Sequence, residues 1–511
     1  MKYTLLSAIL LVISGISYSQ NPAWTDPVKR AADYPEKLYL TGFSSETTRK
    51  SVNPDELRLK HINYAKTELV GAIRTQISSS ATLNLENMNS KSMELFRQAS
   101  VSSSEAQLFG LKTESWYDAK KKAVYAFAYL RITDLVKGCT ADVAEKTNQL
   151  KRKLETGDSW AQKGEVEQAL KTYYDCFPII REIENNQAIL VAIGKEPMSG
   201  QSEDFEMEVN QRLNDLRKEK LSTLDDLCLM MADGIKKQLP EKSLDGTIRM
   251  GSFTYQDTRT GSEFAVRLAN AFEQQMIRQG IPVKSPEVVY RGLSEPDTGG
   301  YLLTGTYWKE GNNLKVIANL KQNNNGRNIA SVQEFLPEKW CADNGLRYVA
   351  DNYDQVLVQQ KQFAENEIIN GGLFVDLWTN RGKDNPVFTR NDTMRVYVKV
   401  DQPCYMRLIY YLSDGRKTLL ADSRYIPETE TGKPLLLPDI FICDAPFGIE
   451  TLQLVAQTVP FKPLILRNED GYQFIENDLG TILANVRGMK TSGETTLIGE
   501  KRLVLTTYAD K

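Results

Sequence analysis

Apolar side chains recur at three- and four-residue spacing through Ile62, Ala65, Leu69, Ala72, Ile73 and Ile77, the stripe of a helix with one face on a core. Asn53-Pro54-Asp55-Glu56 marks its start: Asn as N-cap, Pro at the first helical position, acids in the first turn. Leu38–Gly42 reads as a strand before this helix, Ser79–Glu86 as a strand after it, and Met93–Val101 as a short helix. Gln107–Trp116 and Val124–Ile132 are apolar-rich segments joined by the charged turn Asp118–Lys122, which predicts a hairpin.

The pattern then changes. Residues 136–221 are helical in composition, with one tetratricopeptide-like copy at Trp160–Glu165, Ala169-Leu170 and Tyr173-Tyr174; one copy makes a helical hairpin, not a repeat array. Asp225–Leu239 reads as a helix and Thr247–Tyr255 as a strand. Thr260-Gly261-Ser262-Glu263 has the spacing of a capping box, opening a helix with Phe264, Leu268, Ala271, Phe272 and Met276 on one face and Gly280 past its end. Strands follow at 281–283, 301–308, 313–321 and 328–335, giving βαβ and then a meander. Asp343–Asn366 reads as a helical spacer with Asp343 at its N-cap. Beyond it, Met394, Val396, Val398 and Val400 alternate with Arg395, Tyr397 and Lys399, and Met406, Leu408, Tyr410 and Leu412 form a second period-two set, as in half-buried antiparallel strands.

The expected fold class is therefore α+β and multidomain. Its parts are an α+β domain over 22–135, a helical connector over 136–221, a βαβ-plus-meander α/β domain over 222–340, a helical spacer over 341–370, an antiparallel β-sandwich over 371–490, and a polar tail over 491–511 with a final strand at 502–507.

Residues 1–19 stand apart. Met1-Lys2, the apolar run Leu5–Ile16, and small residues at Ser17 and Ser19 have the layout of a signal peptide, which predicts a mature start at Gln20 or Asn21. That run is shorter than the ~20 apolar residues of a membrane-spanning helix, and no later stretch reaches that length. Export leads to the periplasm or an outer-membrane-associated position, with peripheral membrane attachment and release from the cell left open.

Export also changes the meaning of the six cysteines, because an oxidising compartment permits disulfides. Cys139 and Cys176 fall in the connector, Cys228 and Cys341 bracket the α/β domain, and Cys404 and Cys443 lie in the β domain, so 139–176, 228–341 and 404–443 is the economical pairing. Buried free thiols are the alternative.

Three regions resemble known envelope modules. Pro22-Ala23-Trp24, the strand ending at Gly42, the Ala-bearing helix and Trp116-Tyr117 resemble the small outer-membrane lipoprotein family related to the N-terminal domain of the flagellar protein FlgT, without its anchor cysteine. The strand at 247–255, the helix at 262–279, Gly305-Thr306-Tyr307 and Ile329-Ala330-Ser331 resemble FlgO-like and curli-secretion CsgG-like periplasmic modules. Val375-Asp376-Leu377-Trp378, Asn391-Asp392, Asp414-Gly415 and Pro446–Glu450 resemble an uncharacterised C-terminal β domain of bacterial envelope proteins, a family with no assigned catalytic residues. These resemblances imply an envelope protein rather than an enzyme.

Composition narrows the chemistry. The net charge is −3, from 63 basic and 66 acidic residues, which offers nothing to draw nucleic acid. The single histidine, His61, rules out multi-histidine metal sites and leaves only one base for a serine triad; its place beside the helical stripe predicts a surface or half-buried side chain. No nucleotide-binding glycine motif and no calcium loop occur, so no cofactor is expected. Asp376, Asp384, Asp392, Asp401, Asp414 and Asp422 lie in or near β-loops, where two facing carboxylates would hydrolyse glycosides and isolated ones cap turns. The leading expectation is an exported, non-enzymatic scaffold or adaptor binding protein partners of a surface or secretion machine. A carboxylate-based glycan or peptidoglycan hydrolase is the alternative. Arg395, Tyr397 and Lys399, opposite the apolar face of their strand, are the candidate interaction surface, with Tyr397 expected to point into solvent.

Overall fold

The computed structural model describes residues 21–47, 53–83, 108–193, 201–217, 222–240, 244, 246–256, 260–284, 300–323, 326–365, 373–383, 385–469, 471–487 and 496–509. The chain is mixed α+β and carries four sheets among these residues. The signal peptide expected at 1–19 and the helix expected at 93–101 lie outside them.

The first unit comprises α1 (Pro27–Asp33), β1 (Tyr39–Thr47), α2 (Pro54–Leu83), β2 (Lys112–Asp118) and β3 (Ala123–Arg131). Its antiparallel sheet runs β1-β3-β2, with Asp118 Oδ1 accepting from Lys120 N and Lys121 N to close the hairpin turn. Helix α2 starts where the cap signals place it, but it continues through Leu83, so Ser79–Leu83 is helix and not strand. A nucleated helix adds one hydrogen bond per residue, which outweighs the weak preferences of the Ser/Thr run. α2 lies directly on β1: a Cβ at Gly42 would sit 2.1 Å from the Ala65 carbonyl oxygen. Leu40, Ala65, Leu69, Ile73, Ala126 and Leu130 make the core.

Four helices follow: α3 (Ile132–Gln162), α4 (Val166–Tyr174), α5 (Cys176–Ala192) and α6 (Gln201–Leu216). Leu135 and Cys139 of α3 and Ala188–Leu190 of α5 complete the first unit's core, so connector and first unit share it.

The α/β unit contains α7 (Leu224–Gln238), β4 (Ile248–Tyr255), α8 (Glu263–Arg278), β5 (Val283–Lys284), β6 (Tyr301–Glu310), β7 (Asn313–Gln322) and β8 (Asn328–Pro337). The sheet order is β5-β4-β6-β7-β8, parallel around β4 and antiparallel beyond β6, which is the expected βαβ and meander. The cap of α8 is Ser262, whose Oγ accepts from Ala265 N; Thr260 instead bridges back to Tyr255. Asp343 ends a helix, α9 (Glu338–Asp343), and the spacer's main helix, α10, begins only at Tyr353 and runs to Glu365.

The last unit holds β9 (Val375–Thr379), β10 (Val387–Thr389), β11 (Thr393–Val400), β12 (Cys404–Tyr411), β13 (Lys417–Ile426), β14 (Leu435–Ile442), β15 (Ile449–Gln457), β16 (Leu466–Glu469), β17 (Tyr472–Ile475), α11 (Leu479–Arg487) and β18 (Ile498–Tyr508). A seven-stranded sheet, β10-β18-β15-β12-β13-β17-β16, packs on a three-stranded sheet, β14-β11-β9. The final strand is not a tail appendage: β18 lies inside the larger sheet, antiparallel to β15 and parallel to β10. Strands β12 and β15, at the centre of the larger sheet, are buried on both faces. Met406, Leu408 and Leu452 enter the sandwich, while Ile409 and Tyr411 meet Phe363 of α10 and Ile482 and Leu483 of α11.

All six cysteines are free thiols and no pair is bonded, which corrects the expected disulfides. Five are fully buried, distributed over the three main cores, and act as small apolar side chains. Burial pushes the thiols of Cys139, Cys176, Cys341, Cys404 and Cys443 up to about 12.

Candidate interaction face

On β11 the alternation places side chains as the pattern predicts. Met394, Val396, Val398 and Val400 enter the sandwich core and Tyr397 faces the other way. Tyr397 is nevertheless only 7% exposed, contrary to expectation. It stacks on Trp378 of β9, with ring centroids 5.7 Å apart and planes 7° apart. Every residue of β9 is buried, so the small sheet is covered on its outer face at that strand as well as on its inner one.

Charged groups of the first unit act on ionisable groups of the sandwich near this surface. Lys399, opposite Asp376 in the register, is pulled below its usual value by burial, with Glu46 of β1 and Asp376 opposing. The Glu46 carboxyl is held below the usual range by a hydrogen bond from His61, helped by Lys60 and Lys399. Burial pushes Glu68 of α2 upward, with Lys501 and Lys383 opposing the shift and Asp376 adding to it. Asp401 is pushed up to about 7 by burial, against the backbone N–H of Phe374 and the charge of Arg30. Arg30 is itself lowered to about 10 by burial; its guanidinium donates to the Trp24 carbonyl and lies 3.8 Å from the Phe43 ring centre.

His61 belongs to the same seam and is 2% exposed, not half-buried. Its Nε2 lies 3.1 Å from Glu46 Oε2 and its Nδ1 2.8 Å from Ser44 Oγ. The ionised carboxylate only accepts, so Nε2 donates to it, and Nδ1 shares a hydrogen bond with the Ser44 hydroxyl, which can either donate or accept. Both ring nitrogens are satisfied, which is what permits a buried histidine here.

Beyond the covered zone the same outer face is open. Leu436 of β14 pairs with Tyr397, Ile440 with Arg395 and Ile442 with Thr393, so a row runs from Trp378 through Tyr397 to Leu436. Leu436, Ile440 and Ile442 are 45%, 55% and 69% exposed, beside an exposed Arg395. Arg395 makes no ion pair among the described residues. The face named from sequence is thus divided: Arg395 is free, Tyr397 is covered, and Lys399 is engaged by the first unit.

The loop acids are tied into local structure. Asp392 pairs with Arg381 at 2.8 Å, Asp414 with Arg416 at 2.6 Å, Asp422 with Arg407 at 2.6 Å, and Asp376 lies 3.5 Å from Lys383. Asp384 is outside the described residues. No cluster of metal-ligating side chains occurs among the described residues.

Two buried polar groups carry no sequence signal. Arg181 bonds Glu184, Glu206 and Gln333, and Lys315 pairs with Glu206 at 2.8 Å, fixing α5 and α6 on β7 and β8. Glu450 accepts from Tyr410 and from Ser413 N, and burial pushes its carboxyl up to about 7.

No protein-family model matches the chain, and no curated protein is significantly similar to it. Among solved structures the chain is similar to the secreted protein HP1454 from Helicobacter pylori, at 9% identity and a TM-score of 0.23, over 64% of this chain and 97% of that one. Similarity at that level does not define a shared fold. No helix among the described residues is long and apolar enough to cross a membrane.

Proposed function

We propose that the chain is an exported, non-enzymatic scaffold or adaptor of the bacterial envelope, and that it binds a protein partner through the open part of the β14–β11 face. The observation that carries this reading is the row Leu436, Ile440 and Ile442, three aliphatic side chains exposed on one face of an edge strand beside Arg395. Scattered exposed aliphatics are ordinary, but an aligned group is a docking feature. The partner it suits is an apolar protein surface carrying a carboxylate for Arg395. The apolar run before Gln20 and the envelope-type resemblances of three regions supply the compartment.

Cross-linking in envelope fractions tests the reading. The wild-type chain is expected to give discrete adducts that Ile440→Ser with Ile442→Ser, and separately Arg395→Glu, abolish at unchanged melting temperature. Identical adducts from all three proteins would retire it. Peptidoglycan turnover by the purified wild-type chain would favour the hydrolase instead.

A further inference from the structure

The open strip on β14 is matched to itself. Ile440 lies at its centre, opposite Arg395 of β11. The next β11 residues on that face, Thr393 and Tyr397, stand opposite Ile442 and Leu436, so the strip runs equally far to either side of Ile440. The register slips between Arg395 and Tyr397, which leaves Leu437, Pro438 and Asp439 beside Val396 alone. Leu437 is buried, whereas Pro438 and Asp439 are exposed. Among the described residues neither Arg395 nor Asp439 makes an ion pair, with the other or with any third group. One patch thus carries three exposed aliphatics and one unpaired charge of each sign. β14 is also the edge of its sheet. Pro438 has no N–H to give to a further strand, and Asp439 beside it charges the edge, so the ladder is not extended there. What the strip offers a partner is its face.

We infer that the partner of this face is a second copy of the chain, docked face to face about a two-fold axis that runs along β14. This rests on the reading of that face as the partner site, and it names the partner. About that axis Leu436, Ile440 and Ile442 each meet their own counterpart. The axis also carries β11 of the two copies to opposite sides of the paired β14 strands. Arg395 of each copy then stands over the free edge of the other copy's β14, where Asp439 lies. Stacked sheets are about 10 Å apart, a gap that a long Arg and a short Asp together span. The isologous contact makes each ion pair twice. A two-fold axis across the strands is excluded on two counts. It sets Arg395 over Arg395, and it needs the outer face at β9, where every residue is buried.

Sedimentation of the purified chain over a concentration series tests the inference. The wild type is expected to dimerise reversibly. Arg395→Glu and Asp439→Arg each set like charges together, and each is expected to weaken the dimer by about ten-fold or more at unchanged melting temperature. Mixing the two variants places opposite charges at both contacts, so a heterodimer of wild-type affinity is expected. A wild type that stays monomeric up to about 100 μM overturns the inference. A dimer that neither variant weakens, or that mixing does not restore, overturns it too. The reading of the face as a partner site fails separately. If the chain is monomeric, and Arg395→Glu abolishes adducts in envelope fractions while Asp439→Arg leaves them, the face binds a different protein and only the second copy is ruled out. If neither variant changes the adducts, both readings fall.

Discussion

Single residues in this chain act mainly through what lies close to them in space. Gly42 is such a position. Any Cβ there meets the Ala65 carbonyl oxygen and the Leu69 backbone nitrogen at 2.1 and 2.5 Å, and backbone cannot step aside as a flexible side chain can. Gly42→Ala is expected to destabilise the first unit by about 2–3 kcal/mol, read as a lower urea midpoint. Asp401 shows a different effect. Its folded value of about 7 lies above the ordinary 3.8, so the folded state holds the proton more tightly. The stability this gives is complete below about pH 4 and is lost as pH rises through about 7. Asp401→Asn is expected to flatten the pH dependence of stability between about pH 4 and 7 and to stabilise the chain by about 1–2 kcal/mol at pH 8, in thermal melts across that range.

Between elements, one polar side chain helps to join the spacer to the sandwich. Asn352, just before α10, accepts from Ile449 N at 2.9 Å and donates to the carbonyls of Ile449 and Ser413 at 2.9 and 3.1 Å. Its amide pairs with the start of β15 as a neighbouring strand would. Asn352→Ala leaves these backbone groups without their partner. It is expected to cost about 2–3 kcal/mol and to speed amide exchange at the start of β15, measured by hydrogen–deuterium exchange. Sequence periodicity found the strands of the α/β unit and, in the β unit, β11, β12 and β18, because each keeps one committed face. It could not show that β9, β12 and β15 are covered on both faces, since the covering elements lie elsewhere in the chain.

At the scale of the whole molecule, the first unit and the last meet: α2 packs against α10, and the seam joins positions more than 300 residues apart, such as Glu46 and Lys399. No spacing rule reaches across that distance, so Arg30, Glu46 and Glu68 carry no signal in sequence, and Tyr397 reads as exposed. The cysteines make the same point. Their even number and tidy placement suggest pairing, yet they are small apolar fillers of separate cores. Alkylation of the denatured chain without reductant is expected to add six groups by mass spectrometry, whereas fewer would mean that bridges form.

The amino-acid pattern by itself determined the helix start at Pro54 and, to within one residue, the helix read from Asp225, the meander over β6–β8, the inward face of β11 and the mixed α+β class. Those features follow from interactions within about a dozen residues, where a cap, a turn or a period of two or 3.6 is written locally. Only the tertiary structure decided that His61 is buried between Ser44 and Glu46, that β18 lies inside the larger sheet, and that Trp378 and Tyr397 are buried. Those features depend on which surfaces meet, and that depends on shape and charge summed over distant segments rather than on the order of residues in any one of them.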